Sequence, residues 1–476
     1  MLGRATIMLL ISQVFLVASG YTITVGLARL LGPKDFGTFG VVISLLAVVE
    51  MFVITGIPIA LRKYVAENYN TSKLLMWKTL PWHLLYSLII FLLFWLLAPV
   101  TARLFKDHFL KYFLQLASLD IVFFGLYKYF VGIQNGLHKF GRQAVTDISY
   151  AIAKPVAILG LVLAGYSISG AVVGNVIGSI VGLLIGLLII RFPEVKGGLE
   201  NIPFLKFAFI NVFYSVGIQL LFSIDLWFVK YYLSYDKVGQ YVSASSVSKI
   251  PFFFSLAISA VLLPSISRAT KAKNDNRVQD IVRLSLRYLL VILFAMIVVV
   301  SPSTRGLILF LFGENYADAS SILAILFVAT TFISFFAVIN TILIARNQLK
   351  RCLVATGLLI VLYVVTNALL VPKLGCIGAA ISTLIISIIG VGISSLLLLK
   401  NLQVVISPHS VLRSIAAALA AVSIVYLFPL FDQHVILKCM VLLGSFVTAL
   451  FLLRELSFAD MKRFQAILNP GSQLSV

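Results

Sequence analysis

Leu31-Gly32-Pro33-Lys34-Asp35-Phe36-Gly37-Thr38-Phe39 returns, in looser form, as Leu233-Ser234-Tyr235-Asp236-Lys237-Val238-Gly239-Gln240-Tyr241. The offset is 202 residues, and three further matches follow in the same order at offsets up to 209. Ile57-Pro58 and Arg62 answer to Leu263-Pro264 and Arg268. Gly136 to Arg142 lies over Ala345 to Arg351, and Ile168-Ser169-Gly170-Ala171 over Cys376-Ile377-Gly378-Ala379. Each match is weak alone; four in register mark an internal duplication. Between them run apolar stretches of about 20 residues or more, long enough to cross a bilayer as helices. Fourteen are legible: 5–31, 36–60, 79–102, 112–136, 143–165, 168–190, 207–233, 238–264, 284–312, 318–345, 351–371, 375–399, 410–429 and 434–453. Each repeat holds six spans, an even number, so both copies run in the same sense, related by a pseudo-two-fold axis along the membrane normal. The expected fold is therefore an all-α polytopic membrane protein. Its N-lobe is 1–200 (spans 1–6) and its C-lobe 201–403 (spans 7–12), with a central cleft between them. Spans 13–14 and a cytoplasmic tail occupy 404–476.

Composition agrees with that class. Hydrophobic residues are 61% of the 476 and charged ones 11%, against roughly 45–50% and 25% in soluble domains. Mean hydropathy is +1.07. A soluble fold could not hide so much apolar side chain, and connectors this short leave room for no soluble domain. The net charge of +20 would suggest nucleic acid in a soluble protein. Here the bases follow the loops. With the N-terminus inside, 24 basic residues fall on inner loops and tails and 10 on outer ones, the bias that orients membrane proteins. Both termini are expected in the cytoplasm, and no nucleic-acid partner is implied. The first span, preceded by Arg4, is read as a retained helix because its apolar run continues to Leu31 past a poor cleavage site, Ala18-Ser19-Gly20. Cys352, Cys376 and Cys439 lack CxxC spacing, and His83, His108, His138, His409 and His434 lack ligand spacing. No metal or cofactor is expected. No Ser/His/Asp set can be assembled, and no large external loop is present to carry acceptor chemistry, so a membrane glycosyl-transfer enzyme is disfavoured.

Leu30 to Gly40, Gly56-Ile57-Pro58 with Arg62 at the end of span 2, Leu262-Leu263-Pro264-Ser265-Ile266-Ser267-Arg268 at the end of span 8, and the layout of six, six and two spans resemble the polysaccharide transport group of the multidrug/oligosaccharidyl-lipid/polysaccharide superfamily. The resemblance covers essentially the whole chain. It implies a monomeric plasma-membrane flippase moving a polyprenyl-(pyro)phosphate-linked oligosaccharide, such as an O-antigen or capsule repeat unit, by alternating access, coupled to protons, sodium or the membrane potential. The alternatives are a lipid II flippase and a multidrug/cation antiporter of the same superfamily. The lipid II branch carries arginines within span 1 and one shortly before the proline of span 8. Here span 1 has no base between Ile7 and Ala28, and Ser246 stands at the span-8 position, with Lys249 two residues before Pro251.

Seven ionisable residues lie well inside spans: Glu50, Asp120, Lys128, Asp147, Lys154, Asp225 and Lys249. Each costs roughly 2.5–3.5 kcal/mol at the centre of a lone helix, so each must pair or face water. Spans 4 and 5 form a hairpin in which Asp147, Lys128, Lys154 and Asp120 follow one another in depth. This charge ladder either pairs internally or turns Lys128 and Lys154 to the substrate's pyrophosphate. Lys249 is a pyrophosphate-binding candidate near mid-membrane, with Pro251 as a hinge; its alternative is a structural pair with Asp225. Glu50 and Asp225 are candidate coupling carboxylates, Glu50 otherwise bonding a base of the other lobe. Arg62 and Arg268 are either positive-inside anchors or the first receivers of the phosphate.

Overall fold

The structure, a computed structural model, describes residues 2–67, 69–193, 204–402, 408–427 and 434–457. The expected lobe boundaries at 200/201 and 403/404, and the tail beyond 457, lie outside the described residues. Among those described, the regular structure is helical throughout. Lipid offers backbone groups no hydrogen-bond partner, so an apolar chain that crosses it must satisfy them within each segment.

The first unit of chain contains α1 (Leu2–Ile54), α2 (Ile57–Glu67), α3 (Ser72–Leu104), α4 (His108–Gly136), α5 (Phe140–Leu161), α6 (Ser167–Ile189), α7 (Phe204–Leu220) and α8 (Ile224–Tyr232). Next come α9 (Tyr235–Ser248), α10 (Ile250–Lys271), α11 (Asp275–Val300) and α12 (Thr304–Phe312). The rest are α13 (Ala319–Ala345), α14 (Leu349–Leu402), α15 (Pro408–Leu427) and α16 (Val435–Leu452). Among the described residues, nine helical stretches are long and apolar enough to cross a membrane, ten if the pair α7 and α8, bent by 42°, counts as one span. The sequence shows fourteen apolar runs because several of them join end to end. α1, with 53 residues, would be about 80 Å long against a hydrocarbon core of about 30 Å. It breaks at Gly32, whose φ of 73° is open to glycine without a Cβ penalty. α14 breaks likewise at Gly375, and α5 meets α6 through a wide turn at Val162–Tyr166 with Gly165 at φ 94°.

By its contacts the chain forms two compact units, Met1–Val242 and Ser243–Val476. In the first, α6 carries Gly170, Gly174, Gly178, Gly182 and Gly186, one every four residues and hence on one face. A Cβ at Gly174 would lie 2.5 Å from Ile158 Cα, one at Gly178 2.9 Å from Lys154 Cα, and one at Gly182 2.9 Å from the Tyr127 ring. Small residues of this kind let membrane helices approach closely. They draw α5 and α4 against α6 at the level of Lys154 and Tyr127. In the second unit, α15 and α16 pack on α11 through Val291, Val298, Ala417, Leu442 and Phe446. Arg287 reaches Glu455 at 2.9 Å and Arg413 reaches the same carboxylate at 3.6 Å, fastening the end of α16.

Candidate functional site

Six of the seven intramembrane charges belong to the first unit, and α1, α4, α5 and α6 bring most of them into one cluster. Lys128 Nζ on α4 lies 3.8 Å from Asp147 Oδ1 on α5. Asp147 also accepts from the Tyr127 hydroxyl, and from Gln143 Nε2 at 3.4 Å; Asn135 holds Gln143 in turn at 2.8 Å. Two turns of α5 beyond Asp147, Lys154 Nζ donates to the Tyr150 hydroxyl at 3.0 Å. Asp120, fully buried, accepts from Asn175 Nδ2 on α6, with Ser179, Lys154 and Glu50 beside it. Glu50, half-buried on α1, thus stands among Asp120, Lys154 and Lys128. Arg62 on α2 is exposed at the edge of the cluster, within electrostatic reach of Asp147.

Aromatic rings wall the lysines. Lys128 Nζ sits 4.4 Å from the Tyr127 ring centroid and 5.5 Å from that of Phe124; Lys154 Nζ is 5.3 Å from that of Tyr150. Tyr127 and Tyr150 stack at 4.8 Å. Ring faces attract cations and hold the ammonium groups without neutralising them. The Lys128 side chain keeps 24% of its accessible surface, and Lys154 is also half-buried. Both side chains are thus partly exposed, whereas Asp120 and Asp147 are enclosed.

The structure brings together Glu50, Asp120, Lys128, Asp147 and Lys154; among the other candidates, Asp225 has partners of its own, and Lys249 and Arg268 belong to the second unit. Asp225, in the first turn of α8, takes Leu226 N at 2.8 Å and the Tyr241 hydroxyl at 2.7 Å. Lys249 belongs to the second unit. It stands half-buried at the break between α9 and α10 and precedes Pro251, which lies in the first turn of α10. There the Thr330 hydroxyl donates to the Ser248 carbonyl. Arg268, near the end of α10, is exposed and bonds the Pro264 carbonyl at 3.3 Å. Sequence reasoning passed over Tyr127, Tyr150 and Asn175. The spacing of Tyr150 and Lys154, four residues on one helix, was a signal for the first pair. Nothing local marked Asn175, a lone amide in a glycine-rich apolar run.

A set of ion-paired and aromatic-walled cations within apolar helices defines a multi-pass membrane protein with a charged interior. The family profile described as "Polysaccharide biosynthesis protein" matches residues 2–270, and the MatE profile matches 212–369. The chain belongs to the polysaccharide biosynthesis protein family, within the multidrug/oligosaccharidyl-lipid/polysaccharide superfamily. It is 25% identical over 397 residues to the probable low-salt glycan biosynthesis flippase Agl15 of Haloferax volcanii, covering 80% of each chain. It is 24% identical to an uncharacterized membrane protein of Methanocaldococcus jannaschii, covering 84% of this chain and 99% of that one. Among solved structures, the lipid II flippase MurJ in an inward closed conformation aligns with a TM-score of 0.73 at 19% identity, covering 94% of this chain and 98% of that one. An inward-facing multidrug resistance MATE transporter aligns at 0.61 and 13% identity, covering 82% and 98%. At these identities the structural likeness shows the fold.

Proposed function

We propose that the protein is a flippase for polyprenyl-(pyro)phosphate-linked oligosaccharides, working by alternating access in the plasma membrane with both termini in the cytoplasm. Family membership and the likeness to Agl15 support a lipid-linked glycan as cargo. The observation that carries the reading is the pair Lys128 and Lys154, two half-buried cations on adjacent intramembrane helices. A diphosphate is the part of such a substrate that cannot enter hydrocarbon unaided, and two positive charges in a low-dielectric interior stabilise it far more than they would in water. Arg62, at the edge of the cluster, receives the phosphate first. The tyrosine and phenylalanine rings give the first sugar an apolar face to lie on.

Release needs weaker binding in the outward state, because a ligand shifts an equilibrium only by its differential affinity for the two states. Asp147 supplies that difference as an internal competitor that reclaims Lys128. Glu50 and Asp120 flank Lys154 in the same way. With both carboxylates ionised, this trio carries one net negative charge and takes up a proton or sodium ion, coupling the cation to the fate of Lys154. Lys249 and Arg268, in the second unit, are further candidate phosphate contacts, and Asp225 is a second coupling carboxylate.

The test is export of lipid-linked glycan in a strain lacking the chromosomal copy. Lys128→Ala and Lys154→Ala variants, inserted in the membrane at parental levels, should accumulate the lipid-linked unit on the inner leaflet. Unchanged glycan display in both would remove the cluster from substrate binding. Growth of a strain depleted of its lipid II flippase on this gene would move the cargo to lipid II.

A further inference from the structure

The first unit carries a second buried charge pair, one member of which caps the N-terminal end of α4. Asp107 ends the turn between α3 and α4, and its Oδ1 caps α4 by accepting from Phe109 N at 3.1 Å and Leu110 N at 3.2 Å. Its Oδ2 lies 3.0 Å from Lys230 Nζ on α8, with both side chains buried at 2% and 4% exposure. Lys230 Nζ in turn sits 3.5 Å from the ring centroid of Tyr235, which stands at the start of α9 and also acts electrostatically on Asp107. Burial pushes the Asp107 carboxyl up, but Lys230, Tyr235 and the Leu110 amide outweigh it and hold the group below the usual carboxylate range.

Beside this triad the two copies of the repeated turn touch backbone to backbone. A Cβ on Gly37 would lie 2.6 Å from Gly239 N, and one on Gly239 would lie 1.9 Å from the Pro33 carbonyl oxygen. Val242 closes the same seam, its Cγ2 standing 2.6 Å from where a Gly40 Cβ would be. The turns at 31–37, 105–107 and 233–234 are those that the distribution of basic residues puts outside.

We propose that Asp107, Lys230 and Tyr235 form a latch that holds the outer ends of α8 and α9 against α1 and α4, and that it breaks whenever the substrate leaves outward. The inference rests on the transport reading above. A dry ion pair gains little over its solvated parts, while losing one partner is costly. The pair is thus weak as a global strut and strong as a switch: once the seam parts, water solvates both ends. Glycines make the seam separable because no side chains interlock across Gly37 and Gly239.

The experiment uses the full chain with Cys352→Ala, Cys376→Ala, Cys439→Ala and a reporter Val242→Cys, probed by a membrane-impermeant maleimide applied from outside. Asp107→Asn or Lys230→Met should speed labelling about tenfold, as a shift of a two-state population requires. In a separate variant, Asp107→Cys with Lys230→Cys, a bifunctional methanethiosulfonate linker about as long as the lost lysine stem should stop export, and a reducing agent should restore it. This comparison uses one protein before and after bridging, so misfolding cannot imitate it. Unaltered labelling in both single variants, or undiminished export by the bridged protein, would overturn the latch. Labelling that responds to the variants in a chain that exports no glycan would overturn the transport reading and leave the latch standing.

Discussion

The two copies of the repeat share their backbone devices and differ in their chemistry. His138 and Asn347, both at positive φ, end corresponding hairpins 209 residues apart, and the glycine bends at Gly165 and Gly375 are 210 apart. Yet at an offset of 209, Asp120 becomes Ala329, Lys128 becomes Ala337, Asp147 becomes Thr356 and Lys154 becomes Tyr363. Glu50 becomes Leu256 at an offset of 206. Where the first copy holds charges, the second holds neutral hydroxyl and amide pairs: Tyr363 with Thr383 at 2.7 Å, Thr366 with Ser382 at 2.5 Å, and Asn340 with Ser394 at 2.9 Å. The α6 glycines at 174 and 186 become Ser382 and Ser394. The fold asks for kinks at fixed places in both copies; it does not ask for charge. The ladder of the first copy costs several kcal/mol and has no counterpart at the matching positions of the second, and the proposed function assigns it to a ligand.

The sharpest way to break that comparison is to neutralise the first copy. Lys128→Met strands Asp147, a loss of about 3 kcal/mol when one partner of a buried pair is removed, and export should stop. Lys128→Met with Asp147→Leu should regain most of the thermal stability in detergent but none of the export. Recovery of export by the double variant would make the ladder a strut, equivalent to the neutral pairs of the second copy. A middle-sized effect separates backbone from chemistry. Gly165→Ala and Gly375→Ala should each lose about 1–2 kcal/mol, the left-handed penalty of an L-residue, and to a similar extent, since the bend serves the same purpose twice. Melting temperatures that fall in only one of them would end the claim of shared devices. The smallest effect belongs to the second copy's neutral network. Ser394→Ala, which removes one hydrogen bond to Asn340, should cost about 1 kcal/mol and leave export at parental level.

Much of the charge ladder could be read before folding, because depth along a hairpin follows from residue count. Counting from the turn at 137–142 puts Lys128 and Asp147 at neighbouring levels, and their nitrogen and oxygen stand 3.8 Å apart. Glu50 shows where counting stops. Its neighbours Asp120 and Lys154 come from helices that no hairpin ties to span 2. Lys230 shows the same limit from the other side: by position it is an outer-loop base, and by structure it is a buried partner of Asp107.

Hydropathy and charge act residue by residue, so the chain by itself determined that it lives in a membrane, where its helices run, that it is duplicated, and which few charges are out of place. The meeting of those charges was decided only in three dimensions. It depends on how far each helix turns about its own axis and how near its neighbour can come. The glycine face of α6 sets that approach, and no single span encodes it.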